Sequence, residues 1–248
     1  MAVFFSGAKK EPAARYIHID MARGIAIVMM VVFHFTYDLN HFNIVEVDFY
    51  RDPFWLNFRT LIVTSFLFLA GISLQLATGN GVNFRRYFMR LMLLVAAAAA
   101  VTFGSYLVFP KSMILFGVLH FVVVATLLGL LFRGFYWLNL LLGVALIVFG
   151  VQFQHEWFNA PAWHWIGLVS ERPTTVDYVP LLPWFGVILI GMFLGAVIEK
   201  KKVLPKAVPE KCWVISTLAW GGRHSLLIYL IHQPLLFAGF YAVMFALA

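Results

Sequence analysis

Asp20, Arg23, His34 and Asp38 share one apolar stretch near the start of the chain, residues 17–39, and all four fall on a single stripe of a helix. At about 100° per residue, the step from Arg23 to His34 amounts to roughly three turns plus 20°, and Asp38 follows one turn later. Ionisable groups at bilayer depth cost roughly 2.5 to 3.5 kcal/mol each on insertion scales, and they face a protein interior or a water cavity where they have a task. A carboxylate one turn from a histidine can fix the imidazole tautomer and raise its basicity, so His34 with Asp38 reads as a general base or nucleophile. The bland alternative is that the two only hydrogen-bond this helix to a neighbour. Asp20 with Arg23, spaced i, i+3, reads as an intrahelical ion pair or as part of a ligand site. Tyr37 and His41 lie within reach of the same region.

A second cluster occupies residues 221–234 (GGRHSLLIYLIHQP). Ser225, Tyr229 and His232 share one helical face, Arg223 sits at the inner end, and Pro234 can bend the helix. His120, within FGVLH at 116–120, is a third membrane histidine, for which packing or a helix-to-helix hydrogen bond is the favoured reading. Arg85, Arg86 and Arg90 form a basic patch suited to a nucleotide-like or CoA-like polyanion, although such patches more often set topology or attract anionic lipid. The run Lys200, Lys201 and Lys202 reads as a topology signal.

These residues must be positioned by membrane helices. The 248 residues are 62% apolar and only 12% charged, with a mean hydropathy of +0.89, far outside the soluble range. The fold class is all-α, a polytopic integral membrane bundle of about seven spans: 17–39, 54–76, 87–109, 113–132, 136–153, 181–198 and 218–240. The runs are continuously apolar, which excludes a transmembrane β-barrel with its alternating strands. A single domain over 1–248 uses nearly the whole chain, and the first span reads as a retained helix rather than a cleaved signal peptide.

The net charge of +7 does not point to nucleic acid, because its distribution is topological. Lys9, Lys10, Arg15, Arg85, Arg86, Arg90, Arg133, Lys200, Lys201, Lys202, Lys206 and Lys211 fall at alternate loops, which the positive-inside rule makes cytoplasmic. The other side holds Arg51, Arg59, Lys111 and Arg172, so the N-terminus is expected inside and the C-terminus outside. Cys212 is the only cysteine, which removes an intrachain disulfide and a cysteine-based metal site. On the outer side, the long loops 40–53 and 154–180 carry aromatic and polar residues; the inner loops 79–90 and 199–211 are basic and turn at Gly79, Gly81, Pro205 and Pro209. The alanines at 96–100 read as a small-residue packing surface. No P-loop, dinucleotide glycine motif, HExxH pair or GxSxG elbow is present. A haem between two of His34, His120 and His232 stays open.

IDMARGIAI at 19–27 followed by HFTYDL at 34–39 resembles the opening of bacterial proteins grouped with the catalytic domain of heparan-alpha-glucosaminide N-acetyltransferase. The resemblance continues through FLFLAGISL at 66–74, FGVLH at 116–120, YVPLLPWFG at 178–186, Ser225 with Leu226, and YLIHQP at 229–234. Arg23, ten intervening residues and His34 are also similar to a motif of the broader transmembrane acyltransferase group. The resemblance implies acyl-CoA bound from the cytoplasm, a histidine acting at the acyl carbon, and an acceptor on the opposite face. It makes His34, Asp38 and Arg23 the first catalytic candidates, with His41, His232, Tyr229 and His120 behind them. Arg85, Arg86, Arg90, Asp20 and Arg223 are the candidates for holding the acyl-CoA. The lysosomal branch carries its histidine in the region after the first helix, where the nearest residue here is His41.

The expectation is a membrane acyltransferase moving an acyl group, most simply acetyl, from acyl-CoA to a glycan-like or lipid-linked acceptor, in a bacterial cytoplasmic membrane. Membrane lipids are the other expected partners, and a homodimer stays open. A proton-coupled transporter of a small metabolite is the alternative, with the Asp20, Arg23, His34, Asp38 column as its path.

Overall fold

Apolar segments in a bilayer must satisfy their own backbone hydrogen bonds, and helices do so within one segment. The computed structural model describes residues 16–108, 110–175, 177–202 and 212–247, and those residues form helices and no strands. They are α1 (Ile17–His41), α2 (Pro53–Thr78), α3 (Phe84–Val108), α4 (Val118–Leu131), α5 (Tyr136–Gln152), α6 (Trp184–Lys201), α7 (Trp213–Arg223) and α8 (Ser225–Leu247). Lys9, Lys10, Arg15, Pro205, Lys206, Pro209 and Lys211 lie outside the described residues, as does position 109 at the end of the third expected span.

By length and composition, α1, α2, α3 and α8 can each cross a membrane. Several helix ends shift by up to three residues from the sequence expectation, and two differences are larger. The fourth helix starts at Val118 rather than 113, because Gly117 is extended and the backbone before it turns through Pro110–Ser112. Its 14 residues rise about 21 Å, short of the roughly 30 Å hydrocarbon core. The expected last span, 218–240, is broken at His224 into α7 and α8, and α8 alone has the length to cross.

Lipid gives apolar helices no hydrophobic reason to associate, so their contacts depend on close backbone approach at small residues. Gly71 of α2 lies against the Ile188 carbonyl of α6, and Gly191 of α6 against the Phe68 carbonyl of α2. Gly24 of α1 meets the Leu218 carbonyl of α7, while Gly222 of α7 meets the Asp20 carbonyl of α1. As numbering rises along α7 it falls along α1, so these two helices are antiparallel. α8 then runs parallel to α1, pairing His232 with His34, Gln233 with Asp38 and Phe240 with Phe42. The main apolar core joins α2, α4 and α6 through Leu67, Leu74, Phe121, Ala125, Leu189 and Met192. Ala97 and Ala98 of the alanine tract are buried against Leu119, with Leu226 and Leu230 of α8 beside them.

The bundle has two distinct ends. One carries the basic start of α3, with Arg85 and Arg86, and the basic end of α6, with Lys200 and Lys201. At the other, the segment between α5 and α6 folds back on itself: Leu181 donates to the Trp165 carbonyl at 2.7 Å, Leu182 to Ile166 at 2.8 Å, and His155 to Leu168 at 2.9 Å. Trp157 and Trp163 stack at 4.7 Å beside it.

Candidate active site

α1 and α8 bring two histidines into contact. The rings of His34 and His232 meet edge to face with centroids 4.8 Å apart. His34 Nδ1 lies 3.0 Å from the Met30 carbonyl, and His232 Nδ1 lies 2.7 Å from the Tyr229 carbonyl. A carbonyl only accepts, so each ring donates from Nδ1 and keeps the Nε2 lone pair for other use. His232 Nε2 is buried with no hydrogen-bond partner in the structure. Rings in direct contact leave no room for a porphyrin plane between them.

Asp38 does not orient His34. Its Oδ1 accepts from Gln233 Nε2 of α8 at 2.7 Å, and the residue is wholly buried. The i, i+4 spacing allowed a contact with His34, but the imidazole turns back to the carbonyl four residues before it, and Asp38 faces the neighbouring helix. The pair Asp38 and Gln233 therefore locks α1 to α8 at the level of the histidines.

A cavity of about 1730 Å³ passes this pair. Its basic end is lined by Asp20, Arg23, Arg90, Arg223 and Ser225, its middle by His34, Tyr229 and His232, and its other end by Arg59, Arg172, Asp177 and Tyr178. Arg23 pairs with Asp20 at 3.2 Å and donates to Ser73 Oγ of α2 at 2.6 Å and to the Gly222 carbonyl of α7 at 3.4 Å. One guanidinium thus ties three helices together at the cavity wall, so the ion-pair reading of Asp20 with Arg23 and the cavity-lining reading both describe it. Arg85 and Arg86 are exposed at the start of α3, outside the cavity wall that Arg90 joins. His41 lies beyond the cavity, against Phe42 and Phe237 and beside a separate hollow formed with Tyr37, Asn40 and Asp48.

His120 has a structural setting. Its Nδ1 accepts from the Gly117 N–H at 3.4 Å and its Nε2 faces Thr102 Oγ1 at 3.0 Å, the threonine hydroxyl itself donating to the Ile114 carbonyl. Beside it, Asp177 Oδ2 accepts from the Val118 N–H at 2.8 Å, capping α4. A Cβ on Gly117 would come within 2.8 Å of the Asp177 carboxyl carbon, so FGVLH needs its glycine for this carboxylate to reach the helix end.

Arg59, Arg172, Asp177 and Tyr178 were not singled out from the sequence as a site. The available signal was Arg59, a charge six residues into an apolar helix. Burial pushes the Asp177 carboxyl upward, opposed by the Val118 N–H and by the charges of Arg172 and Arg59. Burial also raises the Tyr178 hydroxyl to about 12, and that hydroxyl donates to the His164 carbonyl at 2.7 Å.

The fold and cavity define a polytopic helical membrane protein with a histidine pair in the wall of a large cavity between its helices. The family model for heparan-alpha-glucosaminide N-acetyltransferase, catalytic, matches residues 15–234, and the chain belongs to that family. The match spans α1 to α7 and continues into α8 as far as Pro234, just past both histidines and the Asp38 to Gln233 lock. No curated protein and no solved structure matches the chain.

Proposed function

We propose that this protein is an acyl-CoA-dependent acyltransferase of the bacterial cytoplasmic membrane, moving an acyl group, most simply acetyl, to a hydroxyl or amine of a glycan-like or lipid-linked acceptor at the opposite face. Membership of an N-acetyltransferase catalytic family supports the reaction class. The observation that carries the reading is the single cavity that reaches from the basic end, past His34 and His232, to the loop end. A transfer across the membrane needs donor and acceptor to meet at one reactive group, and residues of both ends line this one cavity with the histidines between them.

His34 is the proposed base. Its Nε2 takes the proton from the acceptor as the oxygen or nitrogen adds to the thioester carbonyl carbon; the C–S bond then breaks and the proton passes to sulfur, giving free CoA thiol. His232 packs against that ring and holds a second imidazole lone pair in the same wall. Asp38 is a positioning residue, acting through Gln233 on the helix that bears His232. Arg23, Arg90 and Arg223 line the end at which the CoA phosphates would enter.

The test uses purified protein in phosphatidylcholine nanodiscs with radiolabelled acetyl-CoA, following both CoA thiol release and label transferred to a mixed glycan acceptor pool. His34→Ala should lower turnover per folded molecule by about a hundredfold or more. Full turnover in His34→Ala would remove the mechanism. Metabolite flux into sealed liposomes without CoA release would support the transporter instead.

A further inference from the structure

Arg59 and Arg172 approach the loop end of the cavity from different elements, α2 and the segment between α5 and α6, and both line its wall. Their charges oppose one another, and the carboxylate that faces them is Asp177. That carboxylate is already committed through Oδ2 to capping α4. Among the described residues neither guanidinium makes a hydrogen bond or an ion pair. Two cations facing one partly engaged carboxylate leave the wall with an excess positive charge, and arginine presents a planar fork matched to carboxylate and phosphate oxygens.

A snorkelling or topology-setting arginine would keep its head at the lipid interface, whereas Arg59, about 9 Å along α2 from its start, lines the cavity within electrostatic reach of Arg172. The cluster also adjoins the reactive centre. Asp177 is within electrostatic reach of Tyr229, whose carbonyl holds His232.

We infer that Arg59 and Arg172 form an oxyanion-binding subsite for a carboxylate or phosphate carried by the acceptor, seating it at the loop end while its hydroxyl or amine points down the cavity to His34. The inference rests on the proposed function for the word acceptor, and on the cavity geometry for the anion.

Binding is measured without acyl-CoA, so the two readings fail separately. The intact protein in phosphatidylcholine nanodiscs is titrated with labelled glucose 6-phosphate and with glucuronate, and with glucose as the neutral control. The expected result is anion binding that weakens with salt, is about tenfold or more weaker in Arg59→Gln and in Arg172→Gln, and is partly restored in Arg59→Lys and Arg172→Lys. In the glutamine variants the relieved repulsion between the arginines is set against lost attraction to Asp177, so thermal melts of each variant, run beside the titrations, separate lost binding from lost folding. Equal anion binding in the Arg59→Gln/Arg172→Gln double variant, or no binding of either anion at millimolar concentration, would overturn the subsite. Displacement of glucose 6-phosphate by phosphatidylglycerol added to the nanodisc would assign the arginines to a lipid headgroup and overturn the acceptor. Arginine-dependent anion binding in a protein that releases no CoA would leave the subsite standing and remove only the acyl transfer.

Discussion

Gly222→Ala tests whether the α1 to α7 contact holds the basic end of the cavity in shape. An added Cβ would lie 2.7 Å from the Asp20 carbonyl carbon and 3.0 Å from the Gly24 nitrogen, and it would overlap the Asp20 carbonyl oxygen. These are backbone atoms of α1, so no flexible side chain can give way. Ordinary contact begins near 3.4 Å, so clearing the carbonyl carbon alone takes α7 back by roughly 0.7 Å. The Arg23 hydrogen bond to the Gly222 carbonyl, already 3.4 Å long, does not survive that displacement. Overpacking costs about 1 to 3 kcal/mol and the lost hydrogen bond about 1 kcal/mol more. For a chain of this size that corresponds to a melting temperature lower by roughly 5 to 15 °C. Tryptophan fluorescence melts of detergent-purified protein measure it, with Gly239→Ala as the control. Gly239 lies in α8 with open space around it, so alanine there should hold or raise the melting temperature through helix propensity. A Gly222→Ala melt that overlays the wild type, or an equal loss in Gly239→Ala, would refute the close-contact argument.

His120→Ala should cost about 1 to 3 kcal/mol in melts, because it strips partners from Gly117 and Thr102, and it should leave the rate of CoA release per folded molecule unchanged. Asp38→Ala should destabilise the α1 to α8 contact and lower turnover, and Asp38→Asn, which keeps an oxygen for Gln233, should recover most of the stability; unfolding and CoA-release assays on both variants check this. Tyr178 gives a pH signature. Its hydroxyl is held up to about 12 in the folded protein against an ordinary value of about 10, so the unfolded chain ionises first. The stability it contributes is complete below pH about 10 and is lost as pH rises towards 12. Melts across that alkaline range should show a shallower decline in Tyr178→Phe than in the wild type.

Helix existence and class were legible because continuous apolar runs of bilayer length have few structural solutions, and the helix 1 stripe was legible because period 3.6 is fixed by the backbone. The start of α4 was not, since residues 113–117 are apolar but cannot extend the helix once Gly117 is extended and Asp177, sixty residues away in sequence, caps Val118. The break at His224 falls in the polar GGRHS at 221–225, which the expected 218–240 span runs through, and Gly222 packs on the α1 backbone just before it.

For the candidate site, spacing put His34 on the cavity-facing stripe of α1, and the shared face of Ser225, Tyr229 and His232 on α8. Spacing within one helix also suggested Asp38 as the partner of His34, a contact that a one-turn separation permits and does not require. Which group Asp38 meets was decided by α8, because a side chain between two helices bonds to whatever the neighbour presents, and there it found Gln233. The edge-to-face histidine pair and the facing arginines at the loop end likewise join residues far apart in the chain. Periodicity along one helix determines which way a side chain points; only packing of one helix on another determines what it points at.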